Sequence, residues 1–221
     1  MFIAIQSAPK VDVLVNIPVL AYSSPWKALG GRAFGYVALP QAAIGVEKAS
    51  WIKSLYNPAG FVGLAWDLGG GWGFSDVVGG YAPIHSEVGA VLGGNLWTFN
   101  NRAALSYTGN DWNLTAHVIY GSSGHDRSTR IQTQNDYLNL DLTAIKRFGK
   151  WEAGVVGYSS ADLSTAARNS ASGKQRQFAL GALAGYNFGP VSIQMYLTRD
   201  VSEKNIGADS NRAAVRLIAP L

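Results

Sequence analysis

The stretch from Gln177 to Thr198, QFALGALAGYNFGPVSIQMYLT, carries no charge and is about as long as the roughly 20 apolar residues a membrane-spanning helix needs. Its middle rules that helix out. Asn187-Phe188-Gly189-Pro190 is turn chemistry, and a proline inside a helix removes a hydrogen bond and clashes with the preceding turn. The stretch therefore reads as two strands joined by a tight turn. Beyond the turn, Val191, Ile193, Met195 and Leu197 alternate with Ser192, Gln194, Tyr196 and Thr198, the period-two pattern of a strand with one apolar face.

The pattern recurs. Ala103, Leu105 and Tyr107 alternate with Arg102, Ala104 and Ser106 up to the turn Gly109-Asn110-Asp111. Trp112, Leu114, Ala116, Val118 and Tyr120 then share one face, with Asn113, Thr115, His117 and Ile119 on the other, so the two runs form a hairpin. From Asp136 to Phe148, leucines at 138, 140 and 142 oppose Tyr137, Asn139, Asp141, Thr143 and Arg147, and a brief turn at Gly149-Lys150 leads into Trp151–Ser160. Gly121–Gln134 and Ala161–Gln175 are instead long polar segments. Short turns alternating with long loops are the grammar of outer-membrane barrels.

Composition supports the same fold class. The chain has 221 residues, enough for one domain that closes a barrel, with 48% apolar and only 14% charged residues against about 25% charged in an average soluble domain. Trp72, Tyr107, Trp112, Tyr120, Trp151 and Tyr186 fall near predicted strand ends, as interfacial girdles do. Under the rival reading, a soluble β-sandwich, they are ordinary core packing. That fold would have to bury every apolar face and expose a Lys- and Glu-rich one, which the sequence does not supply.

Strands are expected from about Lys10, Gly30, Phe61, Trp72, Arg102, Trp112, Asp136, Trp151, Arg176, Pro190 and Asn211, eleven in all. Bacterial single-chain barrels normally have an even number. The expectation is thus an all-β, antiparallel transmembrane barrel of about 12 strands in a single domain, 1–221, lacking an N-terminal strand. The absent strand would leave a seam between Lys10–Tyr22 and Asn211–Leu221, unless Met1–Pro9 or Ala42–Trp51 supplies a twelfth. The N-terminal Met1-Phe2-Ile3-Ala4-Ile5-Gln6 has no basic region or long apolar core of a signal peptide.

If the alternating apolar face meets lipid, the opposite face is a lumen. Its expected lining includes Arg32, Arg102, Asn113, Thr115, His117, Asn139, Asp141, Arg147, Gln194, Arg212 and Arg216, with Asp12, Asn16 and Asp67 beside them. These side chains either set a polar path or pair across the wall and stiffen it. Catalysis finds no support: His85, His117 and His125 sit in no nucleophile motif, and His117 alone points into the expected lumen. No His or carboxylate pair has zinc or EF-hand spacing, the glycine clusters match neither a P-loop nor a dinucleotide fingerprint, and there is no Cys. No cofactor or metal is expected. The net charge of +4 comes from scattered Lys and Arg without the basic runs that bind nucleic acid.

Six segments in order carry a family resemblance: Tyr81-Ala82-Pro83, Asn95-Leu96-Trp97-Thr98-Phe99, YLNLDLTAIKRFG from Tyr137, Gly185 to Ser192, Thr198-Arg199-Asp200-Val201, and Arg216 to Leu221. From about Lys10 to the C-terminus the chain resembles the outer-membrane channel family described as involved in the meta-pathway of phenol degradation. The resemblance implies a monomeric barrel of about a dozen strands in the bacterial outer membrane, surrounded by its lipid. It also implies passive uptake of small hydrophobic molecules such as aromatics or lipid-like compounds. A narrow general diffusion porin is the alternative, and an outer-membrane hydrolase a more distant one.

Overall fold

The computed structural model describes residues 2–6, 11–46, 51–166, 173–206 and 211–219, and gives side chains for 13–45 and the last three of these segments. Strands dominate: β1 (Phe2–Gln6), β2 (Val11–Asn16), β3 (Val19–Ala28), β4 (Gly31–Ala38), β5 (Gln41–Val46), β6 (Ile52–Leu55), β7 (Ala59–Gly69) and β8 (Trp72–Tyr81) come first. After a helix of six residues, α1 (Glu87–Leu92), follow β9 (Thr98–Gly109), β10 (Trp112–Ser123), β11 (Tyr137–Phe148), β12 (Trp151–Asp162), β13 (Arg176–Asn187), β14 (Ser192–Lys204) and β15 (Asn211–Ile218). Among the described residues no helix is long and apolar enough to cross a membrane.

Among the described residues, all fifteen strands belong to one antiparallel sheet, in the order β3-β4-β7-β8-β9-β10-β11-β12-β13-β14-β15-β1-β2-β5-β6. The hydrogen-bonded order is open, with β3 and β6 at its ends. Those ends are nevertheless parts of shared spans, because β2 runs into β3, β4 into β5 and β6 into β7, and fifteen strands thus make twelve spans of wall. Prolines divide the three spans. Pro18, Pro40 and Pro58 have no N–H to give a ladder, but their carbonyls still accept from the next span: Leu39 N–H to Pro18 at 3.0 Å, Tyr56 N–H to Pro40 at 2.8 Å and Ala82 N–H to Pro58 at 2.9 Å. The register holds across the first break, with Asn16 opposite Gln41 and Val19 opposite Ala38.

One end of the wall has tight turns at Leu29-Gly30, Gly70-Gly71, Asn110-Asp111, Gly149-Lys150 and Phe188–Val191. Positive φ angles at Gly30, Gly71 and Gly149 show why glycine recurs there. Aromatic side chains gather at this end, where Trp72 meets Tyr107 with ring centroids 5.2 Å apart and Trp151 meets Tyr186 at 4.7 Å. The other end carries the long loops. Outward faces are largely apolar and open: Val62, Leu138, Leu142, Val155, Leu180, Met195, Leu197 and Leu217 are all exposed.

The expected all-β architecture stands, and two sequence expectations need correction. Strand β1, which falls in the Met1–Pro9 stretch named only as an alternative source of a twelfth strand, lies between β15 and β2, pairing Phe2 with Ala214 and Ile3 with Leu14. The expected seam between Lys10–Tyr22 and Asn211–Leu221 is therefore bridged at the loop end. Direction explains why a strand must stand there: β2 and β15 both run from the loop end to the turn end, so an antiparallel wall needs an opposed strand between them. β1 reaches only Asn211–Ala214 of β15, and beyond it the outer edge of β3 carries no ladder among the described residues. The second correction concerns Pro40, which reads as a strand end in the sequence but is an interruption, after which β5 continues the span.

Candidate functional site

Inward-facing side chains divide the interior into a filled half and an open half. On the β4–β9 side, Tyr36 stacks on Phe61 with centroids 4.8 Å apart, Tyr81 meets the Phe61 edge at 6.0 Å, and the Arg102 guanidinium lies 4.1 Å above the Phe61 ring. Arg102 donates to the hydroxyls of Tyr36 at 3.1 Å and Tyr81 at 3.0 Å, and to Asn100 Oδ1 at 3.0 Å. A cation held by phenols, an amide and a ring face is a rigid polar–aromatic wall filling. Asn100 extends it to the Tyr137 hydroxyl at 3.0 Å. The Tyr137 ring lies against Gly121, where an added Cβ would come within 2.2 Å of it.

Helix α1 closes the same side at the loop end. Ser86 caps it, its hydroxyl accepting the Gly89 N–H at 3.0 Å, and Gly93 ends it in the left-handed region at φ 68°. Val88 is buried against Ala42 and Ile44 of β5, with Val15, Ile52 and Tyr56 packed around them. Val88 N–H donates to Ser54 Oγ at 3.1 Å, tying helix to β6. Asn57, almost fully buried, donates to the Gly94 carbonyl at 2.5 Å and accepts the Ile84 N–H at 3.2 Å, so it pins both flanks of the helix.

The open half is a cavity of about 1020 Å³ bounded by β10 to β15 and β2. Its apolar wall includes Ile145, Val156 and Tyr196, which pack with the buried Leu183 in one cluster. Of the eleven expected lumen residues, Asn113, Thr115, His117, Asp141, Arg147, Gln194, Arg212 and Arg216 line this cavity. Arg102 belongs to the filled half, Arg32 is exposed near the turn end, and the Asn139 Oδ1 is buried without a hydrogen-bond partner. The Asp12 side chain lies outside the described ones.

Two close ionic contacts, Arg212–Asp200 and His117–Asp141, lie at the cavity among the described residues. Arg212 grips Asp200 through both carboxylate oxygens, at 2.5 and 3.0 Å, and Gln177 adds a third hydrogen bond at 2.8 Å. The Asp200 side chain is fully buried and that of Arg212 is 14% exposed. This bidentate pairing stiffens β14 against β15. Nearer the turn end, Gln194 donates to Glu152 at 2.6 Å and accepts from the Tyr196 hydroxyl at 2.6 Å, while Arg216 lies 5.8 Å from the Tyr196 ring. His117 Nδ1 is 3.5 Å from Asp141 Oδ2, its register partner on β11. Among the described residues, no group of three or more His, Asp or Glu could hold a metal ion.

Sequence reasoning missed Asp200, Glu152, Tyr158 and Tyr196 as interior residues. Period-two alternation along β14 from Gln194 leads through Tyr196 and Thr198 to Asp200, and along β12 it joins Glu152 to Val156 and Tyr158. The register shift between β13 and β14 falls only after Asp200, between its pairing with Ala179 and that of Ser202 with Phe178.

A family profile described as "Putative MetA-pathway of phenol degradation" matches residues 4–217. Among solved structures, one titled "NanC porin structure in rhombohedral crystal form" is similar in fold, with a TM-score of 0.60 at 10% identity over 98% of each chain. No curated protein matches the sequence. An antiparallel porin-like wall, and a family match from residue 4 to 217, place the chain in that phenol-degradation pathway family, to which it belongs.

Proposed function

We propose that this protein is a monomeric, passive channel of the bacterial outer membrane that admits small hydrophobic molecules, aromatics or lipid-like compounds. The observation that carries the reading is the cavity beside the filled half of the interior. It extends from Gly149, Lys150 and Trp151 at the turn end up to Gln177 and Arg212, inside a wall whose outward face is apolar. A conduit needs a continuous space, an outer surface that lipid can solvate and polar backbone groups satisfied within the wall. Ile145, Val156 and the rings of Tyr158 and Tyr196 give an apolar solute something to slide along. The family's description, which concerns phenol degradation, fits an aromatic permeant.

A narrow general diffusion porin is the second reading, favoured by the charged groups Arg147, Glu152 and Arg216 on the same cavity. Bilayer conductance combined with liposome uptake of a small apolar aromatic separates the two. Uptake of the aromatic with small conductance is expected. Large stable conductance with sugar permeation replaces the reading with a porin, and a monodisperse monomer in plain buffer removes the membrane channel altogether. Ester or lipid hydrolysis that disappears in His117→Ala would make the protein an enzyme instead.

A further inference from the structure

Away from the central cavity, a second cavity of about 400 Å³ lies among the long-loop segments, lined by His85, Asn95, Arg127, Ser128 and Arg130. Neither arginine has an ion-pair partner among the described residues. The adjacent carboxylate, Asp126, does not neutralise them by contact. It is buried, and its Oδ1 accepts the N–H groups of Ser128 at 2.9 Å and Thr129 at 2.8 Å and the Thr129 hydroxyl at 3.2 Å.

The loop that presents the arginines is fixed at many points. Asp126 and Ile131 close it by a backbone bond of 2.9 Å, Arg127 N–H reaches the Asn95 carbonyl at 2.8 Å, and Thr133 bonds the Gly93 carbonyl at 3.0 Å. Asn95 donates its side-chain amide to Ser128 Oγ at 2.9 Å, which leaves the serine proton free to donate. Two planar forks, an imidazole and a hydroxyl donor around a preformed hollow match an anion with several acceptor oxygens spread over a tetrahedron.

We propose that His85, Arg127, Ser128 and Arg130 form a binding pocket for a phosphate monoester at the loop end of the barrel. The phosphate comes either from a free solute or from the head group of an outer-leaflet glycolipid, since long loops mark the cell-exterior end of such barrels. This site is separate from the channel cavity and stands whether or not the channel reading holds.

The test uses the whole chain folded in detergent, with heat-modifiable gel migration as the folding check. Titration with inorganic phosphate measures the free source, and binding of diphosphorylated lipid A against its dephosphorylated form measures the head group. The double variant R127A/R130A is expected to weaken binding by about tenfold or more. A control, R176A/K204A, removes two charges from other loop-end positions and is expected to bind as the parent does. Should the double variant misfold, R127Q and R130Q singly are each expected to weaken binding several-fold. Loss in the phosphate arm assigns a free anion, and loss in the lipid A arm alone assigns the head group. Absence of binding in both arms, full binding by the arginine variants, or equal loss in the control overturns the proposal.

Discussion

Arg212 and Asp200 are the pair on which the interior most depends, because a buried carboxylate without its cation keeps its desolvation cost and gains nothing back. Arg212→Met is expected to destabilise the barrel by about 3 kcal/mol, read as a lower midpoint in urea unfolding from detergent. Arg212→Met with Asp200→Leu should recover most of that loss, since the double variant leaves no charge stranded. Asp126 gives a pH effect outside the barrel wall. Hydrogen bonds from the Thr129 and Ser128 amides and the Thr129 hydroxyl hold its carboxyl below the ordinary carboxylate range, outweighing the opposing effect of desolvation. A depressed folded-state value means that the stabilisation is complete above the ordinary value and disappears as pH falls through the depressed one. The protease resistance that separates the parent from Asp126→Asn at neutral pH should therefore vanish in acid. Residue chemistry was partly legible in the sequence: alternation found Arg147, Arg212 and Arg216, but not which of them are paired. Nor could it place Asp76 and Asn101, which bond each other at 2.6 Å on the outward side of β8 and β9, because pairing is a property of neighbouring strands.

The strands from β9 onward were the more readable because period-two alternation runs along them and the turns between them have their own chemistry, as at Asn110-Asp111, where both residues have positive φ. The early elements were not, and the reason is physical. Pro18, Pro40 and Pro58 break three adjacent spans at neighbouring heights, so each span looks in sequence like a strand with a terminus, and the continuity comes only from carbonyls accepted across the sheet. Helix α1 left no usable signal either, being six residues long with a cap that only the Ser86–Gly89 bond identifies. That cap makes the helix testable as an element. Ser86→Ala should cost the helix about 1 kcal/mol, loosening Val88 from Ala42 and Ile44. The expected readouts are faster amide exchange at Gly89 and Ala90 and noisier single-channel current, with overall barrel stability unchanged. Slow exchange equal to the parent's would mean that Asn57, not the cap, holds the helix.

At the scale of the whole molecule the wall joins its beginning to its end through β1. β2 and β15 run in the same direction, so they cannot share an antiparallel ladder, and the fold needs β1 between them. Because the sequence contains no cysteine, a disulfide can report that arrangement on a clean background. Ile3 and Ala213 are register partners, and opposed residues of antiparallel strands have Cα atoms about 4.5 to 5.5 Å apart, inside the range a disulfide spans. The double variant I3C/A213C is expected to oxidise readily in the folded protein and to raise the temperature at which the barrel unfolds on gels. A mismatched pair, I3C/L217C, is displaced by four residues along β15, roughly 13 Å at strand rise, and should remain reduced. Cross-linking of the mismatched pair, or failure of the matched one in protein that retains heat-modifiable migration, would remove β1 from its place and restore the seam expected from strand counting.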